Sequence, residues 1–339
     1  MNKNLKRNSV LLLLITAVVV FFVIKDDFDD IVRALSKANV WFILLGMCFT
    51  VSYWFCKSLS LHNIVKEYRD KIKLGQIFKQ ITITQFFNGV TPFASGGQPM
   101  QIYMLGKSGI KFTHSTNIIV QDFILYQMAL ITHGVIAVLL NLKFGLVESN
   151  PLLVNLTIIG FTVNTLVGLG LLFVSFSTKF NRFIVNHVIG LFSKIKIVKN
   201  KENTINSWKL KLKEFNESAI LLREKKSIIV KGYIYNLIGL TCYYLTPLFV
   251  IHALGFGSSI TIMATYVSCA YVSVIGAFVP LPGGSGGIEG SFLEFFGNFM
   301  APATTKAVLL LWRSITYYLA MIVGAITFNT FKGVKEECE

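Results

Sequence analysis

The pattern that most constrains this chain is a helix break written twice into apolar sequence. One copy reads Thr91-Pro92-Phe93-Ala94-Ser95-Gly96-Gly97, and the other reads Leu281-Pro282-Gly283-Gly284-Ser285-Gly286-Gly287. In each, a glycine pair follows the proline at four and five residues, between two hydrophobic runs. Proline and paired glycines stop a helix. Inside a bilayer a stopped helix leaves bare N–H and C=O groups, which are tolerated only where protein buries them or they line a cavity. Interrupted apolar segments at matching places in two halves of a membrane protein point to a transporter's binding site.

The rest of the chain supplies the membrane. It is 53% hydrophobic and 14% charged, with mean hydropathy +0.62, whereas a soluble domain carries about a quarter charged residues. Full-length spans read at about 10–24, 40–61, 116–140, 152–176, 228–253 and 304–331. The two broken regions, 76–105 and 260–300, fit pairs of half-membrane helices of roughly ten residues each. The stretch 260–279 is also long enough to cross alone. The predicted fold is an all-α polytopic membrane protein of about six full spans plus two broken re-entrant hairpins in an inverted repeat. Its units are 1–143 and 151–331, each with two spans, a hairpin and a third span.

Charge orients this plan. Lys3, Lys6 and Arg7 precede the first span, and no small-x-small cleavage site follows it, so a retained helix with a cytoplasmic N-terminus is expected. Asp26, Asp27, Asp29 and Asp30 suit the outside. Lys66, Arg69, Lys71 and Lys73 enter the first hairpin and Lys107 and Lys111 leave it, which puts both its ends inside. The segment 177–227 carries twelve Lys/Arg against four Glu and reads as a basic cytoplasmic insertion of amphipathic helices on anionic headgroups. Lys332 and Lys335 return the C-terminus inside. The net charge of +15 therefore serves topology and lipid contact, and no nucleic-acid partner is expected. The five cysteines form no CxxC and the five histidines show no metal spacing, so neither metal nor cofactor is expected.

Charged residues within spans mark a cavity or a partner. Asp122 and Arg313 stand at nearly equivalent places in the span after each hairpin. Asp122 lies three turns before His133 and shares its face, as Arg313 does with Tyr317 and Gly324. Glu289 opens the outgoing arm of the second hairpin, where a carboxylate suits a helix N-terminus, and Arg313 is its other candidate partner. The same residues read alternatively as ion pairs that fix helix register, and Lys57 as a side chain snorkelling to the interface. Pro92, Pro280 and Pro282 are the structural breaks. Gly96, Gly97, Gly286 and Gly287 would offer free N–H groups at half-helix starts, a setting that suits phosphate; Pro99 fits a helix beginning there. No GK[ST] follows the second glycine cluster, and Gly284-x-Gly286-x-x-Glu289 lacks the third glycine of a dinucleotide fingerprint.

Pro92-x3-Gly96-Gly97 before an apolar helix, then Pro280-x-Pro282-Gly283-Gly284-x-Gly286-Gly287-x-Glu289 and a later span with Arg313, resemble the flippase-like membrane domain of the lysylphosphatidylglycerol synthase family. The resemblance covers nearly the whole chain and implies a domain that moves aminoacylated phosphatidylglycerol between leaflets. In full-length members a separate cytosolic domain makes that lipid from aminoacyl-tRNA; here eight residues follow Phe331, so a stand-alone translocase is expected rather than an enzyme. The leading expectation is a multi-pass protein of a bacterial plasma membrane that binds phospholipids through Gly96, Gly97, Gly286, Gly287, Glu289, Arg313 and Asp122, with no catalytic residue. The alternatives are a membrane subunit of a lysyltransferase-type system and a non-transporting partner protein. A homo-oligomer is compatible with all three.

Overall fold

The computed structural model describes residues 28–147, 151–176, 224–277 and 279–331. The expected span at 10–24 and nearly all of the basic segment 177–227 lie outside the described residues. Those described form helices with short turns and no strand. They are α1 (Phe28–Ser36), α2 (Val40–Val65), α3 (Leu74–Val90), α4 (Gly97–Lys107), α5 (Phe112–Phe144), α6 (Pro151–Phe176), α7 (Lys226–Ala253), α8 (Ile262–Gly276), α9 (Gly287–Gly297), α10 (Pro302–Arg313) and α11 (Leu319–Thr330). Five segments are long and apolar enough to cross a membrane: α2, α5, the 154–171 stretch of α6, α7, and α10–α11 taken together. The chain is a polytopic all-helical membrane protein. Asp29 and Asp30, part of the acidic stretch after the first expected span, lie in α1 (Phe28–Ser36), which packs on α10.

Local sequence sets the helix ends. Asn39 caps α2 by accepting from the Trp41 amide at 3.0 Å, and Thr261 caps α8 by accepting from Ala264 at 3.2 Å, each satisfying an otherwise orphan donor. Gly145 closes α5 in the left-handed conformation at φ 58°, where a side chain would be strained. Pro302 opens α10 at a position whose missing N–H costs no bond. The stretch 260–279, long enough to cross alone by sequence, yields only the 15-residue α8. It ends in the break, so the second hairpin matches the first.

The order span, half-helix, break, half-helix, span occurs twice. It runs α2, α3, α4, α5 and then α7, α8, α9, α10–α11, with α4 and α9 both 11 residues long. The first spans of the two sets lie side by side and antiparallel. Asn39 donates its amide to Ala253 O at 2.7 Å at one end. Tyr53 meets Tyr243 with ring centroids 5.3 Å apart. Asn63 Nδ2 donates to Ile228 O at 2.9 Å, and Glu67 pairs with Lys225 at the far end. The hairpin arms are then exchanged, with α3 on α11 and α8 on α5. Small residues make the first exchange possible: a Cβ on Gly324 would stand 2.4 Å from Thr82 O, a backbone atom, and 2.8 Å from the Phe86 Cβ. Close approach of this kind replaces the hydrophobic effect as the source of helix association in lipid. Apolar side chains left outside, such as Trp41, Leu142, Leu166 and Ile326, face the bilayer.

The α3–α11 contact therefore depends on Gly324. Gly324→Ala is expected to cost about 1–3 kcal/mol, the usual overpacking range. Gly75→Ala, where nothing lies within 4 Å of the added methyl, is the control. Thermal unfolding of both variants in detergent checks this, the first melting several degrees lower.

Candidate functional site

Each break is a short turn that binds its own polar groups, and the two do so bond for bond. Pro92–Ala94 and Pro282–Gly284 are single 3₁₀ turns. Ala94 N donates to Thr91 O at 3.2 Å and Gly284 N to Leu281 O at 3.0 Å. Ser95 N donates to Pro92 O at 3.1 Å and Ser285 N to Pro282 O at 3.3 Å. Both serine hydroxyls also donate to those proline carbonyls, at 2.9 and 2.8 Å. The backbone enters the left-handed region at Phe93 and Ala94 (φ 55° and 51°) and at Gly283 and Gly284 (φ 63° and 65°). Glycine adopts this freely. Phe93 and Ala94 do not, and such residues cost of order 1–3 kcal/mol each. The two turns pack directly against each other, and Tyr317 Oη donates to Gly89 O at 3.1 Å just before the first turn.

The amides after each turn are held differently. Gly96 N donates to the Thr91 hydroxyl at 2.8 Å, whereas Gly286 N donates to Glu289 Oε2 at 2.6 Å. Neither of these N–H groups is therefore free for an anion, as the sequence reading had it. Gly97 and Gly287 open α4 and α9 in tight packing: a Cβ would come 2.6 Å from Thr84 Cγ2 in the first case and 2.3 Å from Val279 Cγ2 in the second. Pro99 sits two residues inside α4 rather than at its first position. Of the three breaking prolines, Pro92 and Pro282 begin the turns and Pro280 lies just ahead of the second.

Glu289 and Arg313 form one buried unit. Arg313 Nε donates to Glu289 Oε1 at 2.8 Å and its Nη2 donates to the same oxygen. Nη2 also reaches Gly283 O at 3.1 Å. The guanidinium lies 4.8 Å from the centre of the Tyr317 ring, and Arg313 is 5% exposed. A five-residue π turn, Ser314–Tyr318, follows it directly, a deviation frequent at functional positions. One ion pair thus ties the second break to the last span, and Glu289's other oxygen holds the start of α9.

Beside the touching breaks, between the two hairpins, lies a cavity of about 350 Å³. Both halves line it. Lys57, Gln85, Asn88, Gln98 and Asp122 come from the first, and Tyr243, Ser273, Gly283, Arg313 and Tyr317 from the second. Asp122 is buried and accepts from Ser60 Oγ at 2.6 Å; that oxygen accepts in turn from Asn236 Nδ2 at 2.9 Å. His133, on the same face by sequence, is bound elsewhere, to the Tyr266 hydroxyl and to Leu237 O at 3.1 Å, and does not line the cavity. Lys57 is the residue the sequence left undecided: its Nζ lies 4.0 Å over the Tyr126 ring, inside the cavity wall. The signal for it was a lysine in a span opposite a buried acid in another. The Asn88 Oδ1 atom is buried without a hydrogen-bond partner, an arrangement that calls for a water or ligand donor. Among the described residues no group of His, Cys, Asp and Glu stands ready for a metal.

A sequence profile for the lysylphosphatidylglycerol synthase TM region matches residues 9–324. Similar proteins include a UPF0104 membrane protein of Archaeoglobus fulgidus, 24% identical over 87% of this chain and 88% of its own length. Another, from Methanocaldococcus jannaschii, is 23% identical over 98% of this chain and 97% of its own.

Breaking a buried ion pair costs more than deleting it, because the remaining charge stays uncompensated. Glu289→Gln and Arg313→Gln are each expected to destabilise the protein by about 3–5 kcal/mol, and the double variant by clearly less than their sum. Unfolding of all four proteins in detergent gives the coupling energy directly.

Proposed function

Because the chain belongs to the family of the lysylphosphatidylglycerol synthase transmembrane region, we propose that it is a lipid translocase that passes a phospholipid headgroup through the cavity between its two broken hairpins. The observation that carries this reading is the cavity itself: a charged, amide-lined space beside two touching helix breaks, inside a protein whose spans expose many apolar side chains. A polar headgroup crossing a bilayer needs substitutes for its water. Lys57, Asp122, Arg313 and the side-chain amides of Gln85, Asn88 and Gln98 offer them. The volume suits a headgroup, since small-molecule sites run from roughly 300 to 1,000 Å³, and it leaves the acyl chains in the membrane.

The antiparallel α2 and α7 and the bond-for-bond match of the breaks support two inverted units, 1–143 and 151–331. In that arrangement one hairpin opens toward each leaflet, and rocking of one unit against the other exposes the cavity alternately. The exchanged arms couple the two motions, because each unit's last span carries the other's hairpin. The basic N-terminus and loops put both termini on the cytoplasmic side of the cell membrane. Glu289 and Arg313 act by holding the second break open, and Asp122 faces the headgroup. The glycine pairs serve by letting backbone and side chains approach closely rather than by donating to the ligand.

The test is translocation of acyl-labelled phosphatidylglycerol, its aminoacylated form and phosphatidylethanolamine in proteoliposomes. The wild-type chain is expected to move at least one of them. Ala277→Trp, which enlarges an exposed residue lining the cavity, is expected to remain folded and lose about tenfold or more of that rate, equivalent to ~1.4 kcal/mol in the barrier. Movement of none of the three lipids by folded wild-type protein overturns the reading.

A further inference from the structure

The charges facing the cavity are not all matched. Arg313 is, through both contacts with Glu289 and the Gly283 carbonyl. Lys57 and Asp122 line the same cavity and attract each other across it, without the direct contact that joins Arg313 to Glu289. Among the described residues no carboxylate stands within ion-pairing distance of Lys57, whose Nζ rests on the Tyr126 ring. Asp122 is 4% exposed; its Oδ1 takes the Ser60 hydroxyl, and its Oδ2 takes no donor from the described residues. Aromatic walls surround them: Trp54, Tyr53, Tyr126 and Tyr243 all face this space.

We infer that Lys57 and Asp122 are the two poles of a site for a zwitterion, Lys57 receiving a phosphate and Asp122 an ammonium group. The inference deepens the translocase reading and rests on it. Separated in this way, the two charges compensate each other only in part, and a buried charge left so is costly. A ligand carrying both signs neutralises both poles at once. A purely anionic headgroup competes with Asp122 for Lys57 and repels it, and a purely cationic one does the same at Lys57, so the site selects by penalty as well as by attraction. Ring faces beside a carboxylate favour an ammonium further. Gln85, Asn88 and Gln98 line the same cavity and offer amide groups to the headgroup. Arg313, a phospholipid-binding residue by the sequence reading, lines the same cavity and is paired with Glu289.

The zwitterion is either an amine-bearing lipid headgroup or a soluble phosphoamine, and two arms of one experiment separate them. In the first arm, proteoliposomes of the full chain receive acyl-labelled phosphatidylethanolamine, phosphatidylglycerol or a cationic ethylphosphocholine lipid. Wild type is expected to move the zwitterion about tenfold faster than either other lipid, a discrimination worth ~1.4 kcal/mol. Lys57→Gln is expected to shift the preference toward the cationic lipid and Asp122→Asn toward phosphatidylglycerol. Where a single variant does not fold, the double K57Q/D122N, which strands no charge, is expected to lose the preference entirely. In the second arm, calorimetry measures phosphoethanolamine binding to the same proteins in detergent. Unchanged lipid preference in variants that still transport overturns the zwitterion site and leaves the translocase reading standing. If no lipid moves, the translocase reading falls. Phosphoethanolamine binding weakened about tenfold in both variants then upholds the site for a soluble zwitterion, and equal or absent binding overturns it.

Discussion

A helix that stops inside a bilayer must give its free N–H and C=O groups to something other than water, and this requirement organises the molecule. Each break answers it first by curling into a 3₁₀ turn that binds its own amides and adds a serine hydroxyl to a proline carbonyl. The two turns then cover each other. Their half-helices lean on the far unit's last span, where residues as small as Gly324 and Gly89 permit contact. What the shortened helices cannot fill remains as the cavity between them.

The second break shows how one requirement is met by two chemistries. At the first, a neutral threonine hydroxyl satisfies the amide of Gly96. At the second, a carboxylate satisfies that of Gly286, and Arg313 must then satisfy the carboxylate. A buried ion pair is seldom a gain in stability over apolar packing. Its use here is positional: it fixes the turn, the start of α9 and the last span relative to one another just ahead of a π turn. The ion pair thus gives a rigid wall to the cavity that Lys57 and Asp122 also line.

Much of the fold was legible because the membrane imposes it. Apolar length marked α2, α5, α6, α7 and α10–α11, and proline with paired glycines marked both breaks. The Glu289–Arg313 contact was legible too, since a lone acid and a lone base in apolar sequence need each other. Other features depend on packing between distant segments, which periodicity does not encode. The exchange of hairpin arms is one. Another is the loss of the Gly96 and Gly286 amides to Thr91 and Glu289, because a side chain that folds back on its own turn looks, in sequence, like any other polar residue. Lys57 was ambiguous for a similar reason: a lysine near a span's end reads as snorkelling until the tyrosine beneath it and the acid across from it are known. Pro99 marked the first turn of α4, two residues after its start at Gly97.

The central claim is that the two breaks, 190 positions apart in sequence, meet inside the membrane. The most direct measurement replaces the five native cysteines with serine and places new ones at Phe93 and Pro282, one on each turn. A short bifunctional maleimide is then applied to native membranes, with cysteines at Asn63 and Ile228 as a positive control across α2 and α7. The account predicts an intramolecular link between the two turns, detected as a joined peptide by mass spectrometry. Independent labelling of both cysteines with no joined peptide, under conditions that link the control pair, would contradict it.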